Sequence, residues 1–137
     1  MNDCLFCKII TDEIPAEKIY EDENTLAFLD INPINPGHAL VIPKEHSRNI
    51  LDITSKSFSH VAETIRKISP AIKDAVGADG VNIHINNEPE AGQVVFHMHA
   101  HIIPRFSNDG IKMWQGKEYD ENEAKNIAEG IKNSLDF

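Results

Sequence analysis

The chain has 137 residues, 41% hydrophobic and 26% charged, the composition of a single globular domain. Its 13 Lys and Arg against 22 Asp and Glu give a formal charge of −9, which argues against nucleic-acid binding and against a polybasic membrane anchor. The longest uninterrupted apolar run, Ala39-Leu40-Val41-Ile42, is far too short to span a bilayer, and Met1-Asn2-Asp3-Cys4 has neither part of a secretory leader, so a cytoplasmic location is expected.

No repeat, linker or low-complexity tract divides the chain, and residues 1–137 read as one domain. Phe6, Ile9 and Ile10 give Cys4–Ile10 the apolar side of a short helix, which Ile14-Pro15 ends. Lys18–Asp22 and Thr25–Asp30 read as a β-hairpin around Glu23-Asn24. The breaker-dense loop Asn32–Gly37 leads into a strand over His38–Pro43, whose continuous apolar run predicts burial on both faces. Phe58, Val61, Ile65, Ile68, Ile72 and Val76 recur at helical spacing, so Ser55–Val76 is an amphipathic helix ended by Gly77, with a kink or local break expected at Pro70. Val81–Ile85 alternates as a half-buried strand, Glu88–Gln93 is a tight loop, and Val95–Pro104 is another strand. Asp120 and Glu123 have capping-box spacing at the start of a last helix, about 120–135, with an apolar stripe of Ala124, Ile127, Ala128, Ile131 and Leu135. The predicted class is α+β, with a five-stranded antiparallel sheet and two main helices.

Three of the seven histidines fall within five residues, His97-Met98-His99-Ala100-His101. On a strand they share one face while Met98, Ala100 and Ile102 face the core. Three readings are open: a solvated polar face, a three-histidine metal site, or an imidazole nucleophile. Attack on phosphorus suits a neutral ring, provided that a fixed acceptor holds the proton of the other nitrogen. The loop just upstream favours that reading, because Asn86 and Gly92-Gln93-Val94 would bring an amide and backbone N–H groups beside the histidines as donors for phosphate oxygens. Cys4-Leu5-Phe6-Cys7 is a C-x-x-C pair without the βαβ context of a redox motif, and two thiols this close to one end are no disulfide framework.

His97-Met98-His99-Ala100-His101-Ile102-Ile103 resembles the signature of the histidine triad (HIT) nucleotide-hydrolase family. Phe6–Ile10, Ile14-Pro15-Ala16, Leu26–Ile31, Pro36-Gly37-His38, Val41-Ile42-Pro43-Lys44 and Gly92-Gln93 agree with it, so the similarity spans about residues 3–106 and looks like the Hint branch in its bacterial form. The resemblance implies hydrolysis of purine nucleoside phosphoramidates or related nucleoside-phosphate derivatives at the α-phosphorus. His99 would be the nucleophile that carries the nucleotidyl group, oriented by the backbone carbonyl of His97. His101 would contact a phosphate oxygen, Gln93 would sit near the bridging atom, and His38 would support the site. Phe6, Ile9, Phe28 and Ile31 would form the base slot, and Asp30 would accept hydrogen bonds from the ribose hydroxyls. Asn86, Gly92 and Val94 would complete the phosphate side.

The resemblance also implies a structural zinc on Cys4, Cys7, His46 and His97, no catalytic metal, and a homodimer with a sheet continued across both chains. A dinucleoside polyphosphate hydrolase and a nucleotide-binding interaction module with incidental turnover are the alternatives. Two features depart from the family pattern. Val94 stands where related proteins often carry serine, and the segment from Ser107, with Trp114 and a terminal helix, differs from the animal tail.

Overall fold

A computed structural model describes residues 3–137. The elements in chain order are α1 (Leu5–Ile10), β1 (Lys18–Glu21), β2 (Thr25–Leu29), β3 (Ala39–Pro43), α2 (Ser55–Val76), β4 (Gly80–Ile85), a 3-10 turn (Pro89–Ala91), β5 (Ala100–Arg105) and α3 (Glu123–Ser134). The five strands form one antiparallel sheet in the order β1-β2-β3-β5-β4. The expected α+β class with its five-stranded sheet is therefore present. No helix among the described residues is long and apolar enough to cross a membrane.

Alternation along the central strands sends side chains to two cores. Ala27, Ala39, Val41, Ala100 and Ile102 pack with Val61, Ile68 and Ile72 of α2 on one face. Leu26, Phe28, Leu40 and Ile42 pack with Phe6 and Ile9 of α1 on the other. Both faces of β3 are thus covered, which accounts for its uninterrupted apolar run. Each fully buried aliphatic side chain contributes roughly 1.5–3 kcal/mol, so the two-sided sheet is the rigid element of the molecule.

The Thr54 hydroxyl caps α2 by accepting the Ser57 N–H at 3.1 Å, and Gly77, at φ +66°, closes the helix in the left-handed conformation. Of the kink or local break expected at Pro70, the break does not occur and the helix continues; packing of Ile68 and Ile72 on the sheet outweighs one lost backbone hydrogen bond. The predicted helix at 120–135 is present over Glu123–Ser134; Glu123 Oε1 accepts the Asp120 N–H at 2.9 Å, but the N-cap is Asn122 and makes no side-chain bond to the first turn, so the expected capping box is only half formed. None of its residues is buried.

The strand expected over Val95–Pro104 begins only at Ala100. Upstream, the Met98 N–H donates to the Ser47 carbonyl at 2.8 Å, and the His97 carbonyl is taken by a side chain, so neither group is available to a sheet ladder. The expected division of faces nevertheless holds, with Met98, Ala100 and Ile102 wholly buried beneath α2.

Candidate active site

The histidine run crosses the α1 face of the sheet and splits into two environments. His99 packs edge-on against Phe6, with ring centroids 5.1 Å apart, and its Nδ1–H donates to the His97 carbonyl at 2.7 Å. A carbonyl only accepts, so the proton is fixed on Nδ1 and Nε2 keeps its lone pair. Burial pushes the His99 pKa below the ordinary histidine value, partly offset by that carbonyl and by Asp30, so the ring is neutral at pH 7.

His101 has the opposite polarity, set through His38. The Ile34 backbone N–H donates to His38 Nδ1 at 3.0 Å, which places the His38 proton on Nε2. That proton meets His101 Nδ1 at 2.9 Å, which leaves His101 with its own proton on Nε2. Burial and the neighbouring His99, His38 and His84 rings push His101 down to about 4, so the His101 ring is uncharged at neutral pH. His99 therefore presents a lone pair and His101 a donor. His84, which pairs with His101 in the β4–β5 register, stands 5.3 Å from it ring to ring. Sequence reading left His84 as an ordinary strand residue, because only the register brings it beside the triad.

His99 and His101 line a cleft of about 440 Å³ together with Phe6, Ile9, Phe28, Asp30, Ile31, Asn86, Gly92 and Val94. Ile31 is 91% exposed and Val94 83%, so these apolar side chains fill no core and form the rim of the cleft. Asp30 Oδ1 accepts the Asn32 N–H at 2.8 Å and Oδ2 lies 3.6 Å from His38 Nε2, which leaves lone pairs of the carboxylate unused. Gly92 sits at φ +91°, and a side chain there would be strained.

Gln93 does not line the cleft. Its Oε1 accepts from Asn49 Nδ2 at 3.1 Å and from the Glu88 N–H at 2.8 Å, and its Nε2 donates to the carbonyls of Arg48 and Val95 at 2.7 and 3.1 Å. The amide is fully occupied inside the protein. Of the three expected backbone donors, the Gly92 and Gln93 N–H groups are consumed by the turn, bonded to the Pro89 and Glu88 carbonyls at 3.0 and 3.2 Å. Of these three, the Val94 N–H has no acceptor among the described residues.

His97 turns away from the cleft. Its Nε2–H donates to the Pro43 carbonyl at 2.8 Å, which leaves the Nδ1 lone pair toward Cys4, Cys7 and His46. The four ligand atoms lie within 4.8 Å of one another. A tetrahedral zinc with Zn–N of about 2.05 Å and Zn–S of about 2.3 Å needs ligand-to-ligand edges of roughly 3.3–3.8 Å. His97 Nδ1 lies 3.1 Å from His46 Nδ1, 3.4 Å from Cys4 Sγ and 3.6 Å from Cys7 Sγ, and Cys7 Sγ lies 3.4 Å from His46 Nδ1. The donor set fits such an ion. Burial, with Cys4 alongside, pushes the Cys7 thiol up to about 11, the environment of a thiol that ionises only when a cation arrives. The ring nitrogens of the triad do not converge, which removes the three-histidine metal reading.

Paired imidazoles of fixed and opposite polarity beside an apolar cleft define a histidine-triad hydrolase. The HIT domain family matches residues 11–108, and the chain belongs to it. Over 134 residues it is 37% identical to the adenosine 5'-monophosphoramidase hnt1 of Schizosaccharomyces pombe, covering 96% of this chain and 98% of that protein. The crystal structure of SMU.412c from Streptococcus mutans is 46% identical and superposes with a TM-score of 0.94, covering 99% of this chain and 87% of that one. A Zn-bound histidine triad family protein from Mycobacterium smegmatis is 35% identical, with a TM-score of 0.77 over 97% of this chain and 99% of that one.

Proposed function

We propose that the chain hydrolyses purine nucleoside phosphoramidates and related nucleoside-phosphate derivatives through a nucleotidyl-histidine intermediate. The observation that carries this reading is the 2.7 Å bond from His99 Nδ1–H to the His97 carbonyl, which reserves the Nε2 lone pair for attack at the α-phosphorus. The P–N bond to the leaving amine breaks as Nε2–P forms, and the amine departs with a proton. Water then cleaves Nε2–P, releasing the nucleoside monophosphate and restoring His99. The Nε2–H of His101 and the Val94 N–H are the donors suited to the phosphate oxygens, with Asn86 beside them. Phe6, Ile9, Phe28 and Ile31 take the flat base, and the unused lone pairs of Asp30 take the ribose hydroxyls.

The leaving group follows from charge. A protonated amine leaves neutral, whereas a polyphosphate leaves as an anion and needs cationic clamps or a metal. The nearby basic residues are engaged elsewhere, Arg105 with Asp109 and Lys44 with Glu21, each at 2.8 Å. Adenosine phosphoramidates should therefore have the higher kcat/KM when compared with diadenosine polyphosphates in chelator-treated buffer. Faster cleavage of the dinucleotide would contradict the assignment.

Zinc held by Cys4, Cys7, His46 and His97 has a structural role in this reading, tying α1 to the start of the histidine run. The chain functions as a cytoplasmic homodimer. Support for the dimer comes from the edge strand β4 with its exposed Ile83, and from the uncovered Trp114, Ile127 and Ile131. Sedimentation should give a dimer at micromolar concentration; a stable monomer would refute it.

A further inference from the structure

Five consecutive residues between β3 and α2 bond in series to the segment that carries the site. His46 joins the cysteine and histidine cluster around His97. The Ser47 carbonyl accepts the Met98 N–H at 2.8 Å, and the Arg48 carbonyl accepts Gln93 Nε2 at 2.7 Å. Asn49 Nδ2 donates to Glu88 Oε2 at 2.6 Å and to Gln93 Oε1 at 3.1 Å. The Ile50 N–H donates to Asn87 Oδ1 at 2.8 Å. The Arg48 guanidinium adds a bidentate pair with Glu88, at 2.8 and 2.9 Å, and lies over the Phe96 ring at 4.3 Å.

These bonds restrain a strained loop. Glu88 sits at φ +78°, ψ 157°, a region that essentially only glycine occupies at ease. Asn49 is 1% exposed, and a buried amide is tolerated only with its partners in place. Neither Arg48, Asn49 nor Glu88 lines the cleft, so they touch no ligand there. What the restraint fixes is the turn leading to Val94, whose N–H alone of the Gly92–Val94 donors is free for a phosphate.

We propose that His46–Ile50 is a strap whose Arg48 and Asn49, acting through Glu88 and Gln93, position the Val94 backbone donor for the phosphate of the nucleotide. In this role Gln93 is a positioning residue rather than a contact to the bridging atom. The inference rests on the reading of the cleft as a nucleotide site, and it divides that site in two. The base slot is built on α1 and β2 and meets the strap only through His46 at Cys7, whereas the phosphate side depends on Arg48 and Asn49.

The test is calorimetric titration of the full chain with adenosine and with AMP, alongside turnover of an adenosine phosphoramidate. Asn49→Ala should weaken AMP binding and lower kcat about tenfold while leaving adenosine affinity within about twofold. Arg48 is half exposed, so Arg48→Lys keeps the core intact; with the planar fork lost it should move AMP and kcat the same way by roughly threefold. Gln93→Ala combined with Asn49→Ala should cost little more than the larger single effect, because both act through one loop. Equal weakening of both ligands, unchanged AMP affinity and kcat in both variants, or additive losses in the double variant would overturn the strap. Wild-type protein that traps a nucleotide on histidine after acid quenching keeps the underlying reading intact whatever the variants do; failure to trap one overturns that reading itself.

Discussion

The two ends of the histidine run contrast more sharply than their sequence does. At one end His97 is wholly buried, gives its Nε2 proton to Pro43, and turns its lone pair to a closed set of two thiols and a second imidazole. At the other end, His99 and His101 line an open cleft. The rings are alike and adjacent, and each has one nitrogen fixed by a neighbour. What separates them is where the other nitrogen points. A free lone pair that meets thiols is placed to ligate a metal; one that meets an apolar cleft is placed to attack a bound substrate.

Substitutions that exchange these environments should have unequal effects. The largest belongs to the cleft end. His99→Ala removes the proposed nucleophile and should lower turnover by at least about a thousandfold. Adenosine binding and metal content should stay near wild type, since Phe6, Ile9, Phe28 and the cysteine cluster are untouched; steady-state kinetics, calorimetry and elemental analysis check each part. Near wild-type turnover would mean that the cleft end does not hold the nucleophile.

At the closed end, the Cys4→Ser, Cys7→Ser double variant should lose the roughly one zinc per chain expected of the parent and melt at lower temperature, because ligation energy is folding energy. Elemental analysis and thermal denaturation decide it. Full zinc occupancy in the variant would disprove these ligands. Some loss of turnover should accompany the melting shift, since the His97 carbonyl orients His99, but it should be far smaller than for His99→Ala.

Between these lies His38. Replacing it with Ala removes the donor to His101 Nδ1, so the His101 proton is free to move there and turn a lone pair toward the cleft. The expected cost is about tenfold in kcat, about 1.4 kcal/mol, with adenosine affinity retained. A proportionate loss of adenosine binding would show that His38 only packs. The smallest effect is expected at the rim. Val94→Ser adds a hydroxyl beside the departing amine and should raise the phosphoramidate rate by the worth of one hydrogen bond, about 1 kcal/mol or a few-fold. No change in rate would separate the side chain at this position from proton delivery.

Much of this contrast can be read in the linear sequence, and some of it cannot. The buried run of β3 and the stripe of α2 announce themselves because burial on both faces and on one face leave different periods. The helix α3 carries an equally clear stripe, yet Ile127, Ile131 and Leu135 are exposed. Amphipathicity records that a face needs covering, not that the same chain covers it. Of the capping box expected for that helix only the bond from the Asp120 N–H to Glu123 is formed, because the helix starts at Glu123 itself. The late start of β5 has no local signal, because it depends on Ser47 taking the Met98 N–H across the fold.

The site divides in the same way. Residue identity pointed to His97, His99, His101, Cys4 and Cys7, and the family resemblance added His46, Asp30 and Phe28. Neither could give the direction of the His38–His101 bond, which rests on one backbone N–H, that of Ile34. No local pattern singles out Arg48 and Asn49. Their importance comes from contacts about forty residues distant along the chain.

The most direct test of the account is chemical. Wild-type chain mixed with an adenosine phosphoramidate, quenched in acid during turnover and digested, should yield a single adenylylated peptide by mass spectrometry, with the nucleotide on His99 and none on His97 or His101. The same treatment of the His99→Ala variant should yield no adduct. A wild-type chain that turns over without any trapped adduct, or an adduct on His101, would contradict the assignment of the free Nε2 of His99 as the attacking atom.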